Sequence, residues 1–333
     1  MKKIKYAIEI GGSFTKIFVK DEGFALCEPT LISAQPSPTG YQIIGMGKQA
    51  KEMQGKTGEN VEVFSPISNG KIINYEYLKQ LLIYYFEKLD FKKNRDSCLV
   101  LTSCALEKQD RDNFLSLMHD IGFKEVVLAP TIVCSLIGAG KNISSTKTNM
   151  IVNIGGANTD IAVINMNNIL KGATLGLGGR AVDVAIANSI AYNQGIVIGL
   201  STSEKLKIAV GSLYKNDTLN MEITGVDAVN KIPRSYIISS NDLLPVLEPF
   251  FDEIIRTLDV TITSLPPDTS ADIINNGVIF TGGMSKISGL ENYLKKKFRY
   301  PFIIVEDAEN VSILGAGKLL DDINLLERIE ENL

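Results

Sequence analysis

A chain of 333 residues is longer than one hydrophobic core ordinarily supports, so two domains are expected. Hydrophobic residues make up 45% and charged residues 22%, with no long biased stretch, which reads as a soluble globular protein. The net charge of −4 gives no electrostatic case for direct binding of nucleic acid.

In chain order, the segment Met1 to Lys5 carries the charge of a signal peptide's start, but Glu9 and the pair Gly11-Gly12 interrupt the apolar stretch before it reaches signal length. Ile8 to Val19 reads as apolar strand, glycine turn and alternating strand, a β-hairpin pattern. Tyr77 to Lys88 has helical spacing at Leu78, Leu81, Leu82 and Tyr85. Cys98 to Ser103 predicts a short strand, and Asp110 to Ile121 an amphipathic helix with Phe114, Leu117 and Met118 on one face. His119, the single histidine, falls on that helix's polar side, which argues against Ser-His-Asp or Cys-His chemistry. Val126 to Leu128 predicts a strand, and Thr131 to Ala139 a small-residue helix behind Pro130. The apolar run Val126 to Gly140 is too short to span a bilayer, so a cytoplasmic location is expected.

Val152 to Val163 repeats the opening hairpin pattern. Helices are expected over Ala181 to Tyr192 and Ser203 to Leu213, and strands over Met221 to Thr224 and Arg234 to Ile238. A long helix follows over Leu243 to Ser264, then a strand at Val278 to Thr281, a helix over Ser288 to Phe298, a strand at Phe302 to Val305 and one last helix from Ser312 to Ile329. Strands alternating with helices argue for an α/β fold with mixed sheets. Cys27, Cys98, Cys104 and Cys134 form no CxxC pair and read as isolated buried thiols.

The repeat is the strongest internal signal. Laid on Ile8 to Val19, the segment Val152 to Val163 is identical at six positions: Ile10/Ile154, Gly11/Gly155, Gly12/Gly156, Thr15/Thr159, Ile17/Ile161 and Val19/Val163. Copies nearly half a chain apart imply two domains with a common core. Three glycine turns follow strands: Gly11-Gly12, Gly155-Gly156 and Gly282-Gly283. Such turns let a phosphate approach backbone N–H groups, because no Cβ intervenes. Two facing hairpins can clamp a triphosphate, and the third turn can pass beside a nucleoside. Gly138 to Lys141 and Gly315 to Lys318 both spell GAGK, but neither lysine is followed by Ser or Thr in a GxxxxGK[ST] frame, so neither is a Walker motif.

These hairpins, the Thr281-Gly282-Gly283 turn and the ending Leu314 to Leu320 resemble the actin/Hsp70/sugar-kinase superfamily, and specifically its MreB family of bacterial actins. Further blocks agree in order and spacing: Cys27 to Thr30, Gly47 to Gly58, Ile137 to Gly140, Lys207 to Ser212 and Pro266 to Ile274. The resemblance implies an actin-like fold, with two related domains of five-stranded mixed sheets flanked by helices and a nucleotide cleft between them. It implies domain I over 1–146 (core 1–29 and 76–146, small subdomain 30–75) and domain II over 147–315 (core 147–179 and 249–315, small subdomain 180–248). Residues 316–333 would form a helix returning to domain I. The ligands implied are ATP and Mg²⁺. The nucleotide would be held by Gly11, Gly12, Ser13, Phe14, Thr15 and Lys16, by Gly155, Gly156, Ala157, Asn158 and Thr159, and by Gly179, Glu204, Lys207, Gly282, Gly283 and Met284. Glu9 would order the metal's waters, with Asp160 as a fallback. Lys16 has two readings, a phosphate contact or a solvated strand residue.

The sequence departs from the family where the chemistry lies. Glu9 and Asn153 stand where each hairpin usually opens with Asp, and Ala129 and Asn158 stand at the two positions that orient the attacking water. Among Glu9, Asn153 and Asn158, the only catalytic candidates, none supplies that group, so ATP binding with slow or negligible hydrolysis is expected. The function expected is a cytoskeletal filament for cell shape or wall synthesis, self-associating and contacting shape or wall-synthesis proteins. The alternatives are a plasmid-segregation filament, a small-molecule kinase of the same fold and a non-polymerising adaptor. The segment Lys88 to Arg95 falls at the family's membrane loop. There Leu89 and Phe91 either insert into a membrane or belong to an ordinary charged loop.

Overall fold

Burial that alternates along Phe14 to Val19, with Thr15, Ile17 and Val19 inward, is what holds the first repeat as a hairpin against a core. The computed structural model describes residues 4–38, 40–58, 60–104 and 106–331. The first half of the chain runs β1 (Tyr6–Ile10), β2 (Phe14–Val19), β3 (Gly23–Pro29), β4 (Ile32–Ser37), β5 (Gly40–Met46), α1 (Lys48–Met53), β6 (Glu62–Phe64), β7 (Ile67–Ser68), β8 (Lys71–Ile72), α2 (Tyr75–Phe86), β9 (Cys98–Thr102), α3 (Lys108–Ile121), β10 (Val126–Pro130) and α4 (Thr131–Gly138). The second half runs β11 (Asn149–Ile154), β12 (Thr159–Asn165), β13 (Asn168–Leu175), α5 (Gly179–Gln194), β14 (Ile196–Val197), α6 (Leu200–Val210), β15 (Asn220–Asp227), β16 (Pro233–Ser239), α7 (Ser240–Thr263), α8 (Pro267–Asn276), β17 (Val278–Thr281), a 3₁₀ turn (Gly283–Lys286), α9 (Leu290–Lys297), β18 (Phe302–Ile304), α10 (Val311–Leu319) and α11 (Ile323–Glu331).

The two halves build the same sheet twice. One has strand order β10-β9-β1-β2-β3 and the other β18-β17-β11-β12-β13. In each, the first three strands are parallel, and the fourth pairs antiparallel with both the third and the fifth. Smaller sheets, β5-β4-β6 and β14-β15-β16, project from the two halves. The fold is therefore the two-domain, mixed-sheet α/β architecture expected.

Three apolar clusters hold it together. One lies in the first half around Tyr6, Leu82, Phe86 and Phe114, and one in the second around Val152, Leu247, Phe251 and Phe280. The third is shared: Leu99 and Ala129 of one sheet and Ile151 and Ala162 of the other meet Ile132 and Cys134 of α4 and Ile313 and Ala316 of α10. At its centre α4 and α10 touch main chain to main chain. A Cβ on Gly315 would lie 1.9 Å from the Cys134 carbonyl oxygen, and one on Gly138 would lie 2.0 Å from that of Val311. The two GAGK runs are thus packing surfaces against each other, and Lys318 Nζ donates to Gly138 O at 3.3 Å.

Several expectations are corrected. The last helix is two helices, α10 and α11. It breaks at residues 320–322, where Asp322 Oδ1 accepts the Leu325 N–H at 3.0 Å and starts a new helix. Cys27 is exposed and Cys104 half-buried, so only Cys98 and Cys134 are buried thiols. Leu89 and Phe91 turn inward onto the first core. The Phe91 ring lies 4.5 Å from Phe123 and 5.1 Å from Phe86 between centroids, so inserting it into a bilayer would empty an aromatic cluster. Among the described residues no helix is long and apolar enough to cross a membrane.

Candidate functional site

The hairpin tips repeat one geometry. Gly11 N donates to Phe14 O at 3.0 Å and Gly155 N to Asn158 O at 2.9 Å. A Cβ on Gly11 or Gly155 would stand 2.9 Å or 3.0 Å from that same carbonyl, which is why each tight turn takes glycine there. The register also matches: Glu9 lies opposite Lys16, and Asn153 opposite Asp160.

The tips face each other. A Cβ on Gly12 would fall 2.8 Å from Ala157 Cβ, and one on Gly156 would fall 2.1 Å from Ser13 Oγ. Between and beside them lies a cleft of ≈ 550 Å³, within the usual range for small-molecule sites. Its walls include Gly11, Gly12, Ser13, Phe14 and Lys16 from the first hairpin, and Gly155, Gly156, Ala157 and Asn158 from the second. Gly179, Glu204, Lys207 and the turn Gly282 to Met284 also line it, so the three glycine turns converge as expected. Gly282 adopts φ 89°. A Cβ there would meet Ile154 O at 2.4 Å, which fixes the third turn against the second hairpin.

Two candidates do not reach the cleft. Thr15 is buried and bonds Thr30 at 3.0 Å between hydroxyls, while Thr159 donates to Leu177 O at 2.6 Å. Strand alternation turns both inward, away from their neighbours Lys16 and Asp160. Ala129 is fully buried in the shared core; Thr131, two residues on, lines the cleft instead.

The charged candidates are mostly engaged. Lys16 Nζ sits 3.7 Å from Glu9 Oε2 and donates to Glu309 O, so it is neither a solvated strand residue nor an unengaged cation. Lys207 donates to Gly179 O at 2.8 Å and pairs with Asp183 at 2.7 Å. Burial pushes the Asp183 carboxyl up, and Lys207 pulls it part of the way back. Glu204 pairs with Lys51 across the two small sheets' lobes.

Asp160 accepts from Thr174 Oγ1 at 2.5 Å, Ser103 Oγ at 3.1 Å and Asn158 Nδ2 at 3.1 Å. Burial pushes its carboxyl above the ordinary range despite those bonds. Folded Asp160 therefore keeps its proton to higher pH than it does in the unfolded chain. Its stabilising contribution is full below about pH 4 and is lost as pH rises through the raised value. Asp160→Asn is expected to remove that loss: relative to the parent, the variant gains stability between about pH 4 and pH 7. Denaturant unfolding at both values measures the difference.

The residues fit a triphosphate and a water-held Mg²⁺ ion. Glu9 Oε2 is buried without a hydrogen-bond partner and faces the cleft, as does the Thr102 hydroxyl. Among the described residues no three His, Cys, Asp or Glu side chains converge to hold a metal directly. That suits an ion held by phosphate and water, with Glu9 ordering the waters. Asp160, saturated by hydroxyls and an amide, is a poorer fit than the sequence suggested.

The sequence reading missed Arg180. It opens α5, lines the cleft, and its Nη2 donates across it to Gly12 O. The one signal was an arginine ending a glycine-rich run at a helix start.

A family model described as MreB/Mbl protein matches residues 3–328. The cell shape-determining protein Mbl of Bacillus cereus (strain ATCC 10987 / NRS 248) is 30% identical over 324 residues, covering 96% of this chain and 97% of that protein. The crystal structure of MreB 5 of Spiroplasma citri bound to AMPPNP superposes with a TM-score of 0.91 at 27% identity, covering 100% of both chains. The same protein bound to ADP gives 0.89 at 26% identity, over 97% of this chain and 99% of that one. The MamK double helical filament, at 18% identity and a TM-score of 0.77 over 95% of this chain and 98% of that one, shares the fold.

Proposed function

This chain belongs to the MreB/Mbl protein family, and from that premise we propose that it is an actin-like cytoskeletal protein. It binds ATP with Mg²⁺ in the cleft, assembles into filaments in the cytoplasm and organises cell shape or wall synthesis. The observation that carries this reading is the meeting of two matched hairpin tips over one cavity of ≈ 550 Å³. Relatives named for cell shape, and a 27% identical neighbour solved with AMPPNP, support it. The nucleotide joins the two domains, and head-to-tail stacking of closed monomers, being heterologous, propagates as a polymer. The domain division expected from sequence, with small lobes over 30–75 and 180–248, is part of this proposal.

The hairpins orient the polyphosphate, the Gly282 to Met284 turn and the Gly179 backbone wall the nucleoside, and Glu9 holds waters around the ion. Bound Mg²⁺ would offset charge on the phosphates. Hydrolysis is slow, because Ala129 presents only a methyl group within an apolar core and Asn158 spends its amide on Asp160. Losing a positioned acid or base costs about 10²–10⁴-fold in rate.

Purified protein given ATP and Mg²⁺ is expected to sediment as filaments while releasing little phosphate. Brisk release would mean that another group orients the water. No calorimetric affinity for any purine nucleotide would end the reading.

A further inference from the structure

We infer that Arg180 sets the spacing of the two phosphate hairpins and thereby favours a triphosphate over a diphosphate; this rests on the cleft being a nucleotide site. Arg180 is tied to both hairpins. Its backbone N–H donates to Gly156 O at 2.8 Å, which anchors it on the second. Its guanidinium crosses to Gly12 O on the first, and that carbonyl also accepts from Ser65 Oγ at 3.1 Å. One residue therefore joins the two tips at the point where they come closest.

Its surroundings suit a lasting bridge. Burial draws the guanidinium's pKa down, while Glu204 and Asp183 work against that shift. An arginine keeps its charge even so, and its planar fork is pre-organised for more than one acceptor. Arg180 also stands between two cavities. The main cleft lies on one side; on the other is a smaller space of ≈ 270 Å³ between the small lobes, lined by Lys51, Gln54, Ser65 and Glu204. The Lys51–Glu204 pair lies in the wall of that second space and ties the two small lobes together beside Arg180.

The consequence for ligand choice follows from reach. The cleft is lined both by Gly179, Lys207 and Met284 and by the facing tips; in the proposed pose the nucleoside lies against the first group and the polyphosphate meets the tips. A terminal phosphate is the group that extends far enough to touch both tips; a diphosphate stops nearer the nucleoside. Holding the tips at one separation pre-organises them for the longer ligand and does little for the shorter one. Arg180 acts here through the hairpins, as a positioning residue.

The test is calorimetric titration of the parent, Arg180→Ala and Arg180→Lys with ADP and with a non-hydrolysable ATP analogue, each with Mg²⁺. Arg180→Ala is expected to bind the analogue at least tenfold more weakly and ADP less than threefold more weakly. Arg180→Lys keeps the charge but not the fork, and is expected to recover part of the preference. Thermal melting reports whether each variant folds; if the alanine variant does not, the lysine variant carries the test through a triphosphate-to-diphosphate ratio lowered about threefold or more. Equal losses for both nucleotides, or no loss, would overturn the inference. A parent protein that binds neither nucleotide would overturn the site itself, and the inference with it.

Discussion

Gly315→Val is expected to destabilise the fold by about 3 kcal/mol or more, among the larger effects a single overpacking change produces. The Cβ alone would sit 1.9 Å from Cys134 O and 2.6 Å from Gly138 N. Both neighbours are main-chain atoms of α4, so no rotamer change relieves the overlap; the helices must move apart. Moving them opens the shared core that Ile313, Ala316, Ile132 and Cys134 fill. At roughly 2–4 °C per kcal/mol, the melting temperature should fall by about 6–12 °C. Gly58→Ala is the control, since its Cβ would meet nothing within 4 Å. A Gly315→Val protein that melts with the parent would show that α4 and α10 do not pack main chain to main chain.

Gly156→Val is expected to weaken binding of a non-hydrolysable ATP analogue at least 100-fold, about 2.8 kcal/mol, with a smaller effect on stability. Its Cβ would lie 2.1 Å from Ser13 Oγ and 2.9 Å from Ser13 Cβ. The hydroxyl can swing aside but the Cβ cannot, and valine adds two methyl groups in the same gap. The hairpin tips are forced apart where the phosphates would bridge them. Gly58→Ala, outside the cleft lining and with nothing within 4 Å of its Cβ, should bind within about threefold of the parent, by the usual small cost of a change that meets no neighbour. Calorimetric titration compares the three. Binding by Gly156→Val within threefold of the parent would separate the tips from phosphate recognition.

Much of this arrangement was legible in the sequence because it was written twice. The six identities between Ile8 to Val19 and Val152 to Val163 fold into hairpins with the same tip hydrogen bond, in sheets with the same strand order. Helices with a clear period, such as α2, α3 and α7, were readable for the ordinary reason that their apolar residues fall on one face. The short strands between Gly23 and Ile72 were not, since they are brief, glycine-punctuated and paired by register rather than period. Which hairpin side chains reach the cleft was also hidden: alternation sends Lys16 and Asp160 to it and Thr15 and Thr159 away. The GAGK runs could be rejected as phosphate loops, but their use as a close helix crossing needs two distant segments brought together. Arg180 is the same kind of case, because its partner Gly12 lies 168 positions earlier in the chain.

A binding site made by duplication has an approximate twofold axis, and a perfect one would accept an elongated ligand in either direction with equal ease. The cross-strand pairs at matching places break that tie. One side offers Glu9 with Lys16, an acid and a base 3.7 Å apart; the other offers Asn153 with Asp160, an uncharged amide and an acid already surrounded by hydroxyls. The difference gives the axis a sign, so a guest with a charged tail and a neutral head has one way to lie.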